Sequence, residues 1–120
     1  MEKLTNKEEE IMQVLWKLEK AFVKEILANL PGKDLHYNTV STIVRKLEDK
    51  GYVAHEDFGN TYRYFPLVKK EDYSADFMKE ASAKFFDNSY KNMVSFFAKK
   101  EKISAEELRE ILEIIENGNK

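Results

Sequence analysis

The segment YNTVSTIVRKLEDKGYV, residues 37–53, carries side chains suited to hydrogen bonding with base edges. Its apolar residues Val40, Ile43, Val44 and Leu47 recur at i, i+3, i+4 and i+7, which predicts an amphipathic helix. The opposite face begins with Asn38, Thr39, Ser41 and Thr42, all mediocre helix formers because their short polar side chains compete for the backbone. Such a face suits close approach to the major groove. A hydroxyl can give or take a hydrogen bond, a threonine methyl can meet a thymine methyl, and Asn can bind adenine at two points. Arg45, one turn on, could reach guanine or phosphate, and Lys46 and Lys50 would meet the sugar-phosphate backbone. Ordinary N-cap use explains Asn38 or Thr39 alone, but not Ser41 and Thr42 continuing into the second turn.

Other chemistries find little footing. The 120 residues include no cysteine, which excludes disulfides, thiolate metal sites and thiol nucleophiles. The two histidines, His36 and His55, sit in unrelated contexts and read as surface or turn residues rather than ligands. No nucleophile–base constellation, phosphate-cradling glycine loop or metal spacing is present, so neither an enzyme nor a cofactor is expected. No apolar run approaches the roughly 18 residues of a membrane span. The opening MEKLTNKEEE holds no apolar signal region, so membrane insertion and export are not expected and the cytoplasm is. The net charge of −2 does not advertise a nucleic-acid binder. In residues 33–66 the cations Lys33, Arg45, Lys46, Lys50 and Arg63 are matched by Asp34, Glu48, Asp49, Glu56 and Asp57. That balance keeps a second reading open, a winged-helix protein-interaction module that does not bind DNA.

The flanking elements supply a scaffold. Thr5 with Glu8 three residues on is a capping box that launches a first helix, with the stripe Ile11, Val14, Leu15 and Leu18. Met12 and Trp16 widen that face, Trp16 serving core or interdomain packing. Val23, Ile26, Leu27 and Leu30 mark a second helix, stopped by PGKD at 31–34. The third helix ends near Lys50, with Gly51 placed for the left-handed C-cap conformation. Three short helices with matching stripes predict a trihelical core, and the link at 31–37 gives helix-turn-helix geometry. Beyond Gly51, β-branched and aromatic residues flank Gly59 and Asn60, predicting a hairpin of strands at 52–57 and 61–65 closed by Pro66. Tyr62 and Tyr64 read as hairpin packing, and Arg63, alternating to the other side, as the wing contact.

The predicted fold is therefore mainly α with a small β-hairpin: a winged helix-turn-helix over 1–68, then a helical dimerisation region over 69–120. In the latter, Tyr73, Phe77, Ala81 and Phe85 recur every four residues, with Met78 and Phe86 alongside. Met93, Val94, Phe96 and Phe97 follow. A second capping box, Ser104 with Glu107, opens a helix bearing Leu108, Ile111, Leu112, Ile114 and Ile115. A segment this small cannot bury so many large apolar groups by itself. A symmetric homodimer sharing one core, built on Phe77, Phe85, Met93, Phe97, Leu108, Ile111, Leu112 and Ile115, is the economical solution.

LTNKEEEIMQVLW, VKEILANLP, YNTVSTIVRKLEDKGYV and YRYFPLVKKEDY, in this order and spacing, resemble the penicillinase-repressor family of bacterial regulators, the BlaI/MecI type with copper-responsive CopY relatives. The resemblance runs over residues 4–112. It implies a homodimeric repressor whose winged helix binds a palindromic operator in double-stranded DNA, with Thr39, Ser41 and Thr42 on the recognition helix. In antibiotic-responsive members repression is relieved by proteolysis at an Asn-Phe bond in the dimerisation helices, which implies a membrane-bound sensor protease as a partner. The corresponding pair here is Phe96–Phe97, with Phe in place of Asn. Asn60 stands where the family often has Arg after the wing glycine. The cysteine cluster of the copper-responsive relatives is missing, which excludes copper sensing of that kind.

Overall fold

A computed structural model describes residues 1–32, 35–100 and 103–118. The chain divides into two compact units, Met1–Ala75 and Asp76–Lys120. The first holds α1 (Asn6–Leu18), β1 (Ala21–Phe22), α2 (Val23–Ala28), α3 (Tyr37–Asp49), β2 (Val53–Phe58) and β3 (Thr61–Pro66). α4 (Lys70–Phe85) starts there and runs into the second, which also holds α5 (Tyr90–Lys99) and α6 (Ala105–Gly118).

Local chemistry sets the element boundaries in the first unit. The Thr5 hydroxyl accepts the Glu8 N–H at 3.2 Å while the Glu8 carboxylate accepts the Thr5 N–H at 2.8 Å, the reciprocal cap that starts α1. α3 ends in a Schellman arrangement: the Tyr52 N–H donates to the Leu47 carbonyl at 2.9 Å and the Gly51 N–H to Glu48 at 3.0 Å. Gly51 adopts φ +83°, a conformation any side chain would strain. The hairpin turns on two residues between the paired Phe58 and Thr61. Only the first, Gly59, has positive φ, the pattern of a type II′ turn, so Asn60 does not use the left-handed freedom foreseen for it.

Two expectations need correction. The second helix stops at Ala28 rather than carrying Leu30, because the Asn29 side chain bonds back to the Glu25 carbonyl at 2.8 Å and breaks the repeat. The sheet has three strands, in the order β1-β3-β2, with Ala21 opposite Tyr64 and Phe22 opposite Arg63. Of the segment at 31–34 that was to stop α2, Lys33 and Asp34 lie outside the described residues.

The core of this unit joins Ile11, Met12 and Leu15 of α1, Ile26 of α2, Val40, Val44 and Leu47 of α3, and Val53 and Tyr64 of the sheet, all essentially inaccessible to water. Burying each aliphatic side chain contributes about 1.5–3 kcal/mol. Trp16 fastens the chain beyond the hairpin, its indole N–H donating to the Val68 carbonyl at 2.9 Å and its ring lying 5.6 Å from that of Tyr73.

Glu8 is a buried acid that also accepts from Lys50 at 2.7 Å, joining the start of α1 to the end of α3. Lys50, expected to meet DNA, is spent on this contact and on the Lys3 carbonyl at 3.1 Å. Burial alone would raise the Glu8 pKa, but the Lys50 ammonium and the Thr5 N–H more than offset it, holding the carboxyl below its ordinary value of 4.5. A depressed carboxyl stabilises the fold above its ordinary pKa and loses that contribution as pH falls through the folded value. Glu8→Ala, which removes both cap and ion pair, is expected to lower unfolding free energy by about 2–4 kcal/mol at pH 7. Glu8→Gln keeps the cap and should lose less. In urea titrations, its deficit against the unaltered chain should shrink towards pH 3.

In the second unit, Ser89 caps α5 by accepting the Asn92 N–H at 3.0 Å, and Ser104 with Glu107 forms the predicted box at the start of α6. Positive φ at Asp87 and Asn88 separates α4 from α5. Among its described residues none of the large apolar side chains is buried: Phe77, Phe85, Phe97, Ile111, Leu112 and Ile115 are exposed, and Met93 and Leu108 half-buried. These are the eight residues expected to build a shared core.

Candidate nucleic-acid interface

α3 buries one side and presents the other. With Val40, Val44 and Leu47 fixed inwards, helical geometry turns Asn38, Thr42, Arg45 and Asp49 outwards along one line, spaced i, i+4, i+7 and i+11. All four are exposed. Thr39 and Lys46, also exposed, lie along one flank, while Ser41 lies along the other and is half-buried towards the hairpin tip. In the free protein Thr42 Oγ1 donates to the Asn38 carbonyl at 2.9 Å and accepts from Arg45 Nη2 at 3.4 Å. These exposed bonds hold the polar residues in register and are weak enough to be exchanged for others. His36, at the N-cap of α3, makes no side-chain bond to the first turn, in contrast to Thr5 on α1.

The acidic residues divide. Glu48 turns to the hairpin, its Oε2 lying 2.7 Å from His55 Nδ1 on β2. The His55 ring stacks on Tyr62 of β3 with centroids 4.2 Å apart, and its Nε2 lies 3.8 Å from Asp57. His55 thus links α3 to the hairpin. Asp49 remains on the outward line, at the end of the helix away from Asn38. Tyr64 is core; burial, with Glu48 nearby, pushes its hydroxyl pKa above the ordinary 10.0. Tyr62, by contrast, is half-exposed.

Arg63 lies on the outer face of the sheet, its Nη2 3.4 Å from Glu56 and its guanidinium 4.8 Å above the Phe58 ring. Glu56 also accepts from Lys20 at 3.0 Å, and that bond, with the charge of Arg63, lowers its pKa. The expected wing contact thus shares the single Glu56 carboxylate with Lys20; the β2–β3 register sets Glu56 opposite Arg63, and Lys20 comes from beside β1. The reading from sequence passed over Lys24 and Tyr37, which stand beside Ser41. Tyr37 sits four residues before Ser41, so the helical spacing carried a signal for it.

The family model for penicillinase repressors matches residues 4–117. The chain belongs to the penicillinase repressor family. Among similar proteins, the methicillin resistance regulatory protein MecI of Staphylococcus aureus (strain N315) is 24% identical over 113 residues, 93% of this chain and 92% of that one. The penicillinase repressor of Bacillus licheniformis is 25% identical over 114 residues, 94% of this chain and 89% of the other. The solution structure of the DNA-binding domain of the repressor BlaI superposes with a TM-score of 0.52 at 27% identity, covering 61% of this chain and 94% of that domain. The winged helix expected from the pattern of stripes and hairpin is thus the fold of a BlaI-type domain. Among the described residues no cluster of His, Asp or Glu is arranged to hold a metal ion, and no helix is long and apolar enough to cross a membrane.

Proposed function

We propose that this penicillinase repressor family member is a homodimeric transcriptional repressor. The winged helix at 1–68 occupies a palindromic operator, and the helices at 69–120 join two copies. The observation that carries the reading is the outward line Asn38–Thr42–Arg45 on a helix whose other face is locked into the core. Thr39 and Lys46 flank it, the first towards bases and the second towards phosphate. Dimerisation is supported by the uncovered apolar side chains of α4, α5 and α6, far more than a solitary domain leaves in water. A repressor needs only to occupy its site, so no activating surface or catalytic group is required of it. It acts where the chromosome is, in the cytoplasm.

Phe96 and Phe97 lie exposed in α5. Cutting there by a membrane-bound sensor protease would detach α6 from the rest of the tail and return the dimer to monomers, which is how proteolysis would relieve repression.

The test is an anisotropy titration against the DNA upstream of the chain's own gene and a scrambled duplex, at low and moderate salt. Saturable binding that prefers the upstream duplex is expected. The near-neutral charge of residues 33–66 and the presence of Asp49 on the outward line favour the second reading, a protein-interaction module; absence of saturable, sequence-dependent binding at low salt would establish it instead.

A further inference from the structure

A cleft of about 450 Å³ opens between the start of α2, the first turns of α3 and the tip of the hairpin. Besides Glu25, its polar lining is Lys24 from α2, Tyr37 and Ser41 from α3, and Asn60, Thr61, Tyr62 and the core-facing Tyr64 from the wing. The one acid there, Glu25, is occupied by the Phe22 N–H at 2.9 Å, and the Thr61 hydroxyl leans on the Phe58 carbonyl at 3.4 Å. Among the described residues Lys24 is thus the only cation of the lining, and the remaining donors are neutral: three phenols, two hydroxyls and an amide.

We propose that this cleft seats one sugar-phosphate strand of the operator, gripped by neutral donors rather than by a field of lysines. The inference rests on the DNA-binding reading and extends it to a surface outside the base-reading line. Three features carry it. The cleft is continuous with that line, since Tyr37 and Ser41 share α3 with Asn38, Thr42 and Arg45. Its donors are of the types that bind phosphate oxygens without reading sequence. Its walls are preformed, because the Tyr62 ring is stacked on His55, which Glu48 of α3 holds at 2.7 Å. Tyr37 and Tyr62 also leave 48% and 45% of their surface in water, which a covering strand would remove. Neutral donors release few counterions, so this mode of grip reconciles DNA binding with a charge-balanced domain and gives a shallow salt dependence.

The experiment uses the full chain, with a fluorescent duplex from upstream of its own gene and a scrambled duplex of equal composition, over a series of salt concentrations. Tyr37→Phe/Tyr62→Phe removes two hydroxyls and leaves both rings. Binding should weaken about five- to twentyfold on both duplexes, with the slope of log affinity against log salt unchanged. Lys24→Ala should flatten that slope by about one unit. Asn60→Asp, a change the exposed turn tolerates, should weaken both duplexes alike and serves if the tyrosine variant melts early. Affinity of the Tyr37→Phe/Tyr62→Phe and Asn60→Asp chains within about twofold of the unaltered one overturns the cleft and leaves the DNA reading standing. A loss confined to the upstream duplex assigns the hydroxyls to base edges and also overturns it. Failure of the unaltered chain to bind either duplex overturns both.

Discussion

Ile111→Asp/Leu112→Asp is expected to convert the protein to monomers and to weaken binding to its operator by about 10²-fold or more. Both side chains lie on α6 with roughly half of their surface in water, 41% and 54%, in the single chain. A shared core that buries such groups gains about 1.5–3 kcal/mol for each, counted twice in a two-fold dimer. A carboxylate in the same place must be desolvated without a partner, which reverses the sign of the contribution. The DNA effect follows from linkage of the two subunits. Once one recognition helix is bound, its twin faces the second half-site at an effective concentration near the millimolar range, and a monomer loses that gain. Sedimentation equilibrium and a titration of the same preparation read both halves of the expectation. Circular dichroism separates loss of assembly from loss of α6 itself. A variant that remains dimeric at micromolar concentration would remove α6 from the interface.

Thr42→Ala/Arg45→Ala should cost binding to the specific duplex about 2–4 kcal/mol, a loss of roughly 30- to 1,000-fold. A good base contact is worth about 1–3 kcal/mol, and the two residues are in contact with one another, so their losses should fall short of simple addition. In the free protein the Thr42 hydroxyl is bonded to Asn38 and Arg45, so the variant breaks one linked trio on the outward line. Neither side chain takes part in the buried core, and the melting temperature should hardly move. Binding to scrambled DNA should fall only by whatever phosphate contact Arg45 makes. Equal losses on the two duplexes would mean that α3 rests on the backbone without reading bases.

Much of the winged helix was legible because its signals are local. Thr5 and Glu8 lie three residues apart, Gly51 follows the last apolar position of a 3.6-residue repeat, and Gly59 and Asn60 separate two aromatic-rich runs. Each obeys a rule that needs no knowledge of the rest of the chain. What escaped depends on distant partners. A strand of two residues, Ala21–Phe22, has no periodicity to detect and exists because β3 offers Tyr64 and Arg63 to pair with. That strand brings Lys20 to Glu56, the residue that the β2–β3 register also sets opposite Arg63, so two cations share one carboxylate on the outer face. Lys50 was diverted in the same way by Glu8, 42 residues away. The inward and outward sides of α3 were readable from spacing, but the role of His55 was not, since it depends on how β2 folds back against Glu48 at the end of α3.

The central claim is that two copies, joined through their C-terminal helices, place two α3 helices on one duplex. Sedimentation velocity of the full chain mixed with a labelled duplex from upstream of its own gene tests it most directly. The account predicts a saturated complex of two chains per duplex, formed without a populated one-chain species, on a site whose halves lie about one helical turn apart or a multiple of it. A saturated complex containing a single chain, or a chain that sediments as a monomer and leaves the duplex free, would contradict it.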